Sequence, residues 1–359
     1  MFIIDILCLL NEHILEINNT IMFKYYIYIE KENYMKKIIC LLFTLVMVVS
    51  LTACGKQSED KIVIYTSFED YRVEYMNERL KDEFPSYDIS VEYMPTGNHA
   101  AKLVSEGVDT DCDITINLEY SYLQQLDNKG VLADLSDYNF DLYLPETVIS
   151  HNFLPQERNG GSIIINSTLL EEKGLEEPKT YEDLLKPEYK NLISMPNPKS
   201  SGTGYMFLKS LVNVWGEEKA FEYFDKLSEN IIQYTSSGSG PINTIVQGEA
   251  AIGLGMTAQA VTKLNEGIDL KIVNFEEGSP YSMYGLAMIK GKEENPKVKE
   301  VFDFLVNEFT YENCEKFYPE KIFKDIDFEI ENYPKNIKYA DMSNDNIEEK
   351  ERLLSMWNH

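Results

Sequence analysis

The sequence predicts an α/β protein with two lobes and mixed, mainly parallel sheets. From residue 61 onward, short apolar runs of strand character alternate with amphipathic helical stretches, an order typical of parallel sheets joined by helices. The 359-residue chain is long enough for two domains of ordinary size. Neither an internal repeat nor a low-complexity tract interrupts this alternation.

The first lobe is predicted to open with a β-α-β unit. Residues 61–66 have strand character, and Val73, Met76 and Leu80 then recur at helical spacing until Pro85 ends the helix. The remaining predicted elements of this lobe are a strand at 89–93, a helix at 101–104, a strand at 113–117 and a helix at 120–126.

The second lobe is predicted to continue the same rhythm from Gly161. Its predicted strands are 161–166, 192–195, 250–254 and 270–275. Its predicted helices are 181–185, 205–215, 220–227 and 242–246. A strand at 286–289 and helices at 298–305 and 352–357 follow.

Residues 35–53 are interpreted as an export signal. Lys36 and Lys37 form a basic end, the apolar run from Ile38 to Val49 is shorter than the ~20 residues of a spanning helix, and small residues follow. Leu-Thr-Ala before Cys54 resembles a lipobox, which implies lipidation of Cys54 and cleavage before it. The alternative is an uncleaved anchor helix with an incidental cysteine.

The segments on either side of this signal are interpreted separately. Residues 1–34 contain Asp5, Glu12 and Glu16 where a targeting sequence avoids acids, so we expect a start codon assigned too early. The alternative is a first apolar stretch that tethers the precursor. Residues 54–60 are expected to be a short polar tether.

Composition excludes several classes of function. The formal charge of −27, without a basic stripe, argues against nucleic acid as a partner. Lipidation of Cys54 would leave Cys112 and Cys314, for which two buried thiols are expected rather than a disulfide. The four histidines are scattered, and HExxH, GxSxG and P-loop motifs are absent from the sequence. We therefore expect neither an enzyme nor a resident metal or cofactor.

Two hydroxyl-rich loops indicate a site for an anion. The first contains Ser200, Ser201, Gly202 and Thr203 before a predicted helix. The second, residues 234–241, contains Ser236, Gly238 and Ser239. Free N–H groups and the helix dipole favour a phosphate, phosphonate or carboxylate at such a place, although Ser and Thr are also ordinary helix caps.

The carboxyl edge of the sheets is the expected place of this site, because open α/β sheets receive ligands there. In the first lobe that edge would present Thr66 and Ser67 after one strand, and Asn117 and Glu119 after another.

Five segments of the second half resemble one family. They are 196–205 (PNPKSSGTGY), 211–219 with its WGEEK, 230–239 (NIIQYTSSGS), 248–253 (GEAAIG) and 281–291. They are similar to the extracellular solute-binding proteins of ABC importers, in the group of ferric-iron, 2-aminoethylphosphonate and hexose-phosphate binders. The resemblance covers the chain from Lys61 to its end.

The resemblance implies the two-lobed type 2 periplasmic-binding-protein fold, with strands that cross between the lobes. Lobe 1 is expected at 61–160 plus 285–359, and lobe 2 at 161–284. The family's cleft donors correspond to Thr66, Ser67, Ser201, Gly202, Thr203, Ser236, Gly238 and Ser239.

Departures from the family pattern affect the expected ligand. Hexose-phosphate binders carry a His-Asp pair where this chain has Met256, Thr257 and Ala258, which disfavours a sugar phosphate. Ferric binders use adjacent tyrosines, and the only such pair here is Tyr25-Tyr26. Tyr281 and Tyr284, near the second hinge, are alternative phenolate ligands or simply packing residues.

Two charged residues suggest a zwitterionic ligand. Glu119 is placed to pair with an ammonium across the cleft, and Arg158 to clamp the anion with two hydrogen bonds. Both are alternatively solvated loop charges.

The sequence thus predicts a lipid-anchored, monomeric receptor on the outer face of a bacterial membrane. It would pass a small anion-bearing solute to a membrane permease with a cytoplasmic ATPase. The best candidate for this solute is 2-aminoethylphosphonate or a related organophosphorus compound. Ferric iron with an accompanying anion is the alternative ligand. Alternatives of another class are an extracellular sensor domain and a phosphate-ester hydrolase.

Overall fold

Nine strands form one curled mixed sheet in the computed structural model, which describes residues 61–359. The predicted signal at 35–53, Cys54 and the tether lie outside the described residues. The strands are β1 (Lys61–Thr66), β2 (Asp88–Tyr93), β3 (Ile114–Glu119), β4 (Leu154–Ile165), β5 (Ile193–Pro196), β6 (Ile231–Thr235), β7 (Ile252–Met256), β8 (Lys271–Val273) and β9 (Tyr281–Met288).

Helices connect most of these strands. After β9, two helices precede the C-terminal helix. The helices are α1 (Asp70–Glu83), α2 (Thr96–Glu106), α3 (Tyr120–Asn128), α4 (Ser167–Glu172), α5 (Gly202–Trp215), α6 (Glu217–Leu227), α7 (Gly240–Val246), α8 (Thr257–Asn265), α9 (Pro296–Phe304), α10 (Thr310–Lys316) and α11 (Ile347–Met356). A π-helical segment, Leu305–Phe309, joins α9 to α10.

The strand order is β2-β1-β3-β9-β4-β7-β5-β6, with β8 added to β4. We call β1, β2 and β3, with the helices packed on them, the first half, and we call β5, β6 and β7, with their helices, the second half. In the first half, β1 pairs in parallel with β2 and β3. In the second half, β5 pairs in parallel with β6 and β7. The long strands β4 and β9 are antiparallel to each other and to their neighbours, and they join the halves. The predicted α/β class with crossing strands is confirmed.

Apolar side chains cover both faces of the sheet in the first half. Ile62 and Ile64 of β1 pack on one face with α1 and α9, while Val63 and Tyr65 pack on the other face with α2 and α3. Strands buried on both faces have continuous apolar sequences, which is why 61–66 was recognisable as a strand.

The two crossing strands begin earlier than the sequence predicts. β4 starts at Leu154 and β9 at Tyr281, whereas strand character was expected only from 161 and 286. Gln156, Glu157 and Asn159 conceal the strand because they are polar, yet all three are buried.

The C-terminal tail packs on the second half, although residues 285–359 were expected in the first lobe. Leu353 and Trp357 belong to the core of the second half. The Trp357 ring lies 5.3 Å from that of Phe224, edge to face. An apolar stripe on a helix predicts that it is buried, but not which partner buries it.

Candidate functional site

A small cavity of about 30 Å³ lies where the two halves meet, with room for about two water-sized groups. Its walls are rich in hydroxyl and amide side chains. They are formed by Ser67, Glu69, Tyr93, Thr96, Asn117, Asn159, Ser201, Thr203, Ser237, Gly238, Ser239, Met256 and Tyr284.

The first wall is formed at the carboxyl ends of the parallel strands β1, β2 and β3, as the edge rule predicts. Ser67 follows β1 and Tyr93 ends β2. Asn117 has a φ of 58° at the point where the register of β3 against β9 shifts. Asparagine tolerates this left-handed conformation better than most residues, and the bulge turns its side chain into the cavity wall.

The second wall is formed by the two hydroxyl-rich loops. Ser201 caps α5, accepting a hydrogen bond from the Gly204 N–H at 3.4 Å, and its own hydroxyl proton is left to donate. A Cβ on Gly238 would overlap Oγ1 of Thr203. Glycine at 238 therefore lets the second loop pack directly against the first.

The halves also approach each other closely beside the cavity. The Gly97 N–H donates to the carbonyl oxygen of Ser200 at 3.5 Å. A Cβ on Gly97 would lie 2.8 Å from the carbonyl oxygen of Lys199. A Cβ on Gly202 would overlap the hydroxyl of Tyr284. The structure is therefore a closed form in which glycines make room at the contact.

A buried network of charges supports the floor of the cavity. The Arg72 guanidinium donates to Glu69 at 3.2 Å, to Glu157, and to Asn313 at 2.8 Å. Asn117 donates to Glu157 at 2.8 Å. Burial raises the pKa of Glu69, with Arg72 opposing the shift. Of the lining residues in the described part of the chain, none is Lys or Arg, so Glu69 is the one charged group on the walls.

His99 holds Ser67 from behind the cavity. Its two ring nitrogens lie 2.9 Å from the hydroxyls of Ser67 and Thr115. Burial, with a smaller effect of Lys102, lowers the pKa of His99 to about 3. The imidazole is therefore neutral at physiological pH.

The structure brings seven of the predicted site residues to the cavity wall. They are Ser67, Asn117, Ser201, Thr203, Gly238, Ser239 and Tyr284. Gly202 lies just outside, against Tyr284.

Five other predicted residues are not on the wall. Thr66 is buried and accepts from the Phe68 N–H at 3.1 Å. Ser200 is half-buried, and Ser236 is exposed. Thr257 is buried and shares a hydrogen bond of 2.7 Å with Ser162. Tyr281 packs edge to face on Tyr339, with ring centroids 5.1 Å apart.

The interpretation of Glu119 and Arg158 needs correction. Glu119 is buried and ion-paired with Lys350, so its carboxylate does not face the cavity. Arg158 faces the opposite side of β4 from Glu157, with its guanidinium 5.2 Å from the Tyr281 ring and 5.0 Å from the Tyr339 ring. Side chains alternate between the faces of a strand, and Arg158 falls on the face away from the cavity.

Sequence reasoning missed Glu69, Tyr93, Thr96, Asn159, Ser237 and Met256. The edge rule applied to β2 would have found Tyr93 and Thr96, which come at and just after its carboxyl end. Asn159 gave no local signal because it lies within a crossing strand.

Two negative findings concern residues 61–359 alone. These residues contain no cluster of three His, Cys, Asp or Glu side chains able to hold a metal ion. None of their helices combines the length and the apolar character needed to span a bilayer. Cys112 and Cys314 are both free and buried.

Comparison with known proteins defines the class. The sequence profile of the bacterial extracellular solute-binding proteins matches residues 112–350, and the chain belongs to this family. It is an ABC-importer solute-binding protein, as the sequence resemblance implied. The family and its structural neighbours are binding proteins rather than enzymes.

Several individual proteins are similar to this chain. An uncharacterized protein of Haemophilus influenzae is 24% identical over 279 residues, covering 74% of this chain and 78% of its own length. The periplasmic binding protein P5PA has a TM-score of 0.73 at 23% identity, covering 83% of this chain and 98% of that one.

Two further solved structures were determined with ligands. AfuA from Actinobacillus pleuropneumoniae, with fructose-6-phosphate bound, has a TM-score of 0.73 at 24% identity and covers 84% and 98% of the two chains. Iron-bound HitA from Pseudomonas aeruginosa has a TM-score of 0.64 at 17% identity and covers 76% and 90%. At these identities the likeness shows the fold, which is that of the type 2 periplasmic binding proteins.

Proposed function

We propose that this protein captures a small anion-bearing solute, with 2-aminoethylphosphonate or a related organophosphorus compound as the best candidate. The observation that carries the proposal is the cavity wall formed by Ser201, Thr203, Ser237 and Ser239. Hydroxyls and the first N–H groups of α5 offer hydrogen-bond donors to an oxyanion, and the helix dipole favours its charge.

The opposite wall supports an amino group on the same ligand. Glu69 is a carboxylate on the cavity floor, and Oδ1 of Asn159 is buried and accepts no hydrogen bond from the described residues. A buried acceptor without a donor is costly, so a ligand ammonium would satisfy Asn159, and it would give Glu69 a second cationic donor beside Arg72. In this proposal Glu69 takes the role that the sequence suggested for Glu119.

The residues around the cavity bear on the alternative ligands. Met256 and Thr257 stand where hexose-phosphate binders carry a His-Asp pair, which favours a phosphonate over a sugar phosphate such as the one in AfuA. Ferric iron, found in HitA, remains the second candidate because Glu69, Tyr93 and Tyr284 line the cavity. Burial raises the pKa of Tyr284 well above 10, which opposes the phenolate that iron requires.

The wider role follows from the family and from the predicted signal. We infer a receptor anchored outside the cell through lipidated Cys54, acting as a monomer that delivers its ligand to a permease and ATPase in the membrane. Ligand contacts to both halves would favour the closed form, which the permease would recognise.

Calorimetry of the full chain tests the ligand. We expect 2-aminoethylphosphonate to bind more tightly than ethylphosphonate, inorganic phosphate, fructose 6-phosphate or ferric citrate. Ser201→Leu should abolish binding by filling the cavity, and Thr203→Val should weaken it, while exposed Ser236→Ala serves as the matched control. Equal binding by Ser201→Leu and wild type would refute the anion site.

Two controls address the hydrolase alternative and the ammonium site. Turnover of added phosphate esters would contradict a pure binder. Ethylphosphonate binding as tightly as the aminophosphonate, or unchanged selectivity in Glu69→Gln, would reject the ammonium site while leaving the anion site standing.

A further inference from the structure

We propose that helix α11 carries a latch that holds the two halves together: Lys350 of the tail, anchored on the second half, is ion-paired in the interior with Glu119 of the first half. This inference concerns closure and does not depend on the identity of the ligand.

The tail is fixed to the second half by contacts on both sides of Lys350. Leu353 and Trp357 lie in that half's core. Arg352 is ion-paired with Glu217 of α6 at 2.6 Å. Before the helix, Asn213 of α5 donates to the carbonyl oxygen of Asp341 at 3.0 Å. The helix is thus fastened to the second half, and it reaches α3 of the first half through Lys350 and through Glu351, which accepts from Gln125 at 3.2 Å.

The acceptor of Lys350 belongs to the first half. Glu119 ends β3 and caps α3, accepting from the Ser121 N–H at 3.2 Å. The Lys350 ammonium donates to the Glu119 carboxylate, and it lies 3.1 Å from the Ser121 hydroxyl. The side chains of Lys350 and Glu119 are only 1% and 2% exposed, so the pair is sealed from water.

Aromatic rings from both halves enclose the ammonium. Its nitrogen lies 4.2 Å from the centre of the Tyr122 ring in the first half and 4.3 Å from that of Tyr205 in the second. Cation–π contacts of this kind strengthen when water is excluded. These contacts exist together only when the halves meet.

The pair therefore couples charge burial to closure. Separation of the halves would return both charges to water, where each is well solvated. Closure removes that water and makes each charge the main compensation of the other, with Ser121 and the two rings around them. Removal of one partner leaves an uncompensated charge that penalises the closed form and not the open one. The latch thus sets how much of the ligand's binding energy is needed for closure.

Hydrogen exchange of the ligand-free full chain, read by mass spectrometry, tests the latch. The reporter is the Gly97 amide, whose hydrogen bond to Ser200 spans the halves. In Lys350→Met we expect this amide to exchange about tenfold faster or more, given the cost of an unpaired buried charge. Amides of β1 and β5, within single halves, should be unchanged.

Two further variants separate a latch from a contact that merely stabilises the fold. Glu348→Gln removes an exposed charge of the same helix, and Gly97 exchange should stay at the wild-type rate. The double variant Glu119→Gln with Lys350→Met removes both charges of the pair and should recover part of the protection.

Three results would overturn the proposal. They are a wild-type exchange rate at Gly97 in Lys350→Met, an equal acceleration of exchange at the β1 and β5 amides, and an equal acceleration at Gly97 in Glu348→Gln. Because no ligand is added, failure here is distinct from failure of the proposed function.

Discussion

The imidazole of His99 supports the hydroxyl of Ser67 at 2.9 Å from within the first half, and it is itself held by Thr115 at 2.9 Å. A cavity hydroxyl is therefore oriented by a residue that does not line the cavity. This relationship gives the first prediction.

We expect His99→Ala to weaken ligand binding by about threefold to tenfold. The expected loss corresponds to one hydrogen bond, roughly 1 kcal/mol, because Ser67 would lose its fixed orientation. Since burial lowers the pKa of His99 to about 3, wild-type affinity should show no step near pH 6.5 from this residue. Calorimetry with 2-aminoethylphosphonate across pH 5.5–8 measures both effects.

The exposed His151 supplies the matched control, because His151→Ala removes an imidazole that does not line the cavity. Unchanged affinity in His99→Ala would mean that Ser67 does not contact the ligand.

Gly202 and Tyr284 give a second prediction, about closure. A Cβ at 202 would overlap the Tyr284 hydroxyl, and Tyr284 is only 3% exposed, so its ring has little room to move. Gly202→Ala should therefore hold the halves apart and weaken binding tenfold or more, on the order of 1.4 kcal/mol. Calorimetry compares the variant with wild type.

Tyr284→Phe in the Gly202→Ala background tests the cause, since it removes the overlapping atom. Affinity should return to that of Tyr284→Phe alone. Absence of rescue would show that the alanine acts through α5 itself rather than through the contact.

The sequence predicted the fold better than the details of the site, for physical reasons. Strands such as β1 and β3 are buried on both faces, so their apolar runs were visible without any tertiary information. The loops around Ser201 and Gly238 were visible because hydroxyls and glycine before a helix have a local meaning.

Pairing across the molecule left no such local signal. Glu119 looked like a free acid because Lys350, its partner, is 231 residues away. Arg158 looked available for the ligand because its segment was not recognised as part of β4. Only the alternation of side chains along that strand shows that Arg158 lies on the face away from the cavity. Glu69 was overlooked because a carboxylate near the start of a helix is an ordinary feature.

The third prediction concerns the buried cation beneath the cavity. Arg72 is fully buried, with Glu157 equally buried beside it. Arg72→Met leaves the acids unpaired, and we expect a loss of about 3–5 kcal/mol in the free energy of unfolding. Urea denaturation followed by circular dichroism measures it.

A matched arginine on the same helix provides the comparison. Arg79 pairs with Glu312 at 2.7 Å, and both side chains are about a quarter exposed. Arg79→Met should therefore cost no more than about 1 kcal/mol. Similar losses for the two variants would contradict the view that burial makes the Arg72 network critical.

The last prediction concerns Asp345, which lies beside the latch. Burial and the nearby Glu119 raise its pKa to about 6, against the opposing effects of Lys350 and Lys209. In the unfolded chain the pKa of an aspartate is about 3.9. The folded protein thus binds the proton more tightly, and ionisation of Asp345 costs stability.

The sign of the pH effect follows from this difference. Below about pH 4 the carboxyl is protonated in both states, so Asp345→Asn and wild type should be equally stable. As the pH rises from about 4 through 6, wild type should fall behind the variant by about 3 kcal/mol, because only the aspartate ionises and its two pKa values differ by about two units. Urea unfolding at pH 4, 5, 6 and 7 gives the difference directly. If the variant is instead the less stable protein at pH 7, the attraction of Lys350 and Lys209 outweighs burial, and Asp345 belongs to the latch as a second anion.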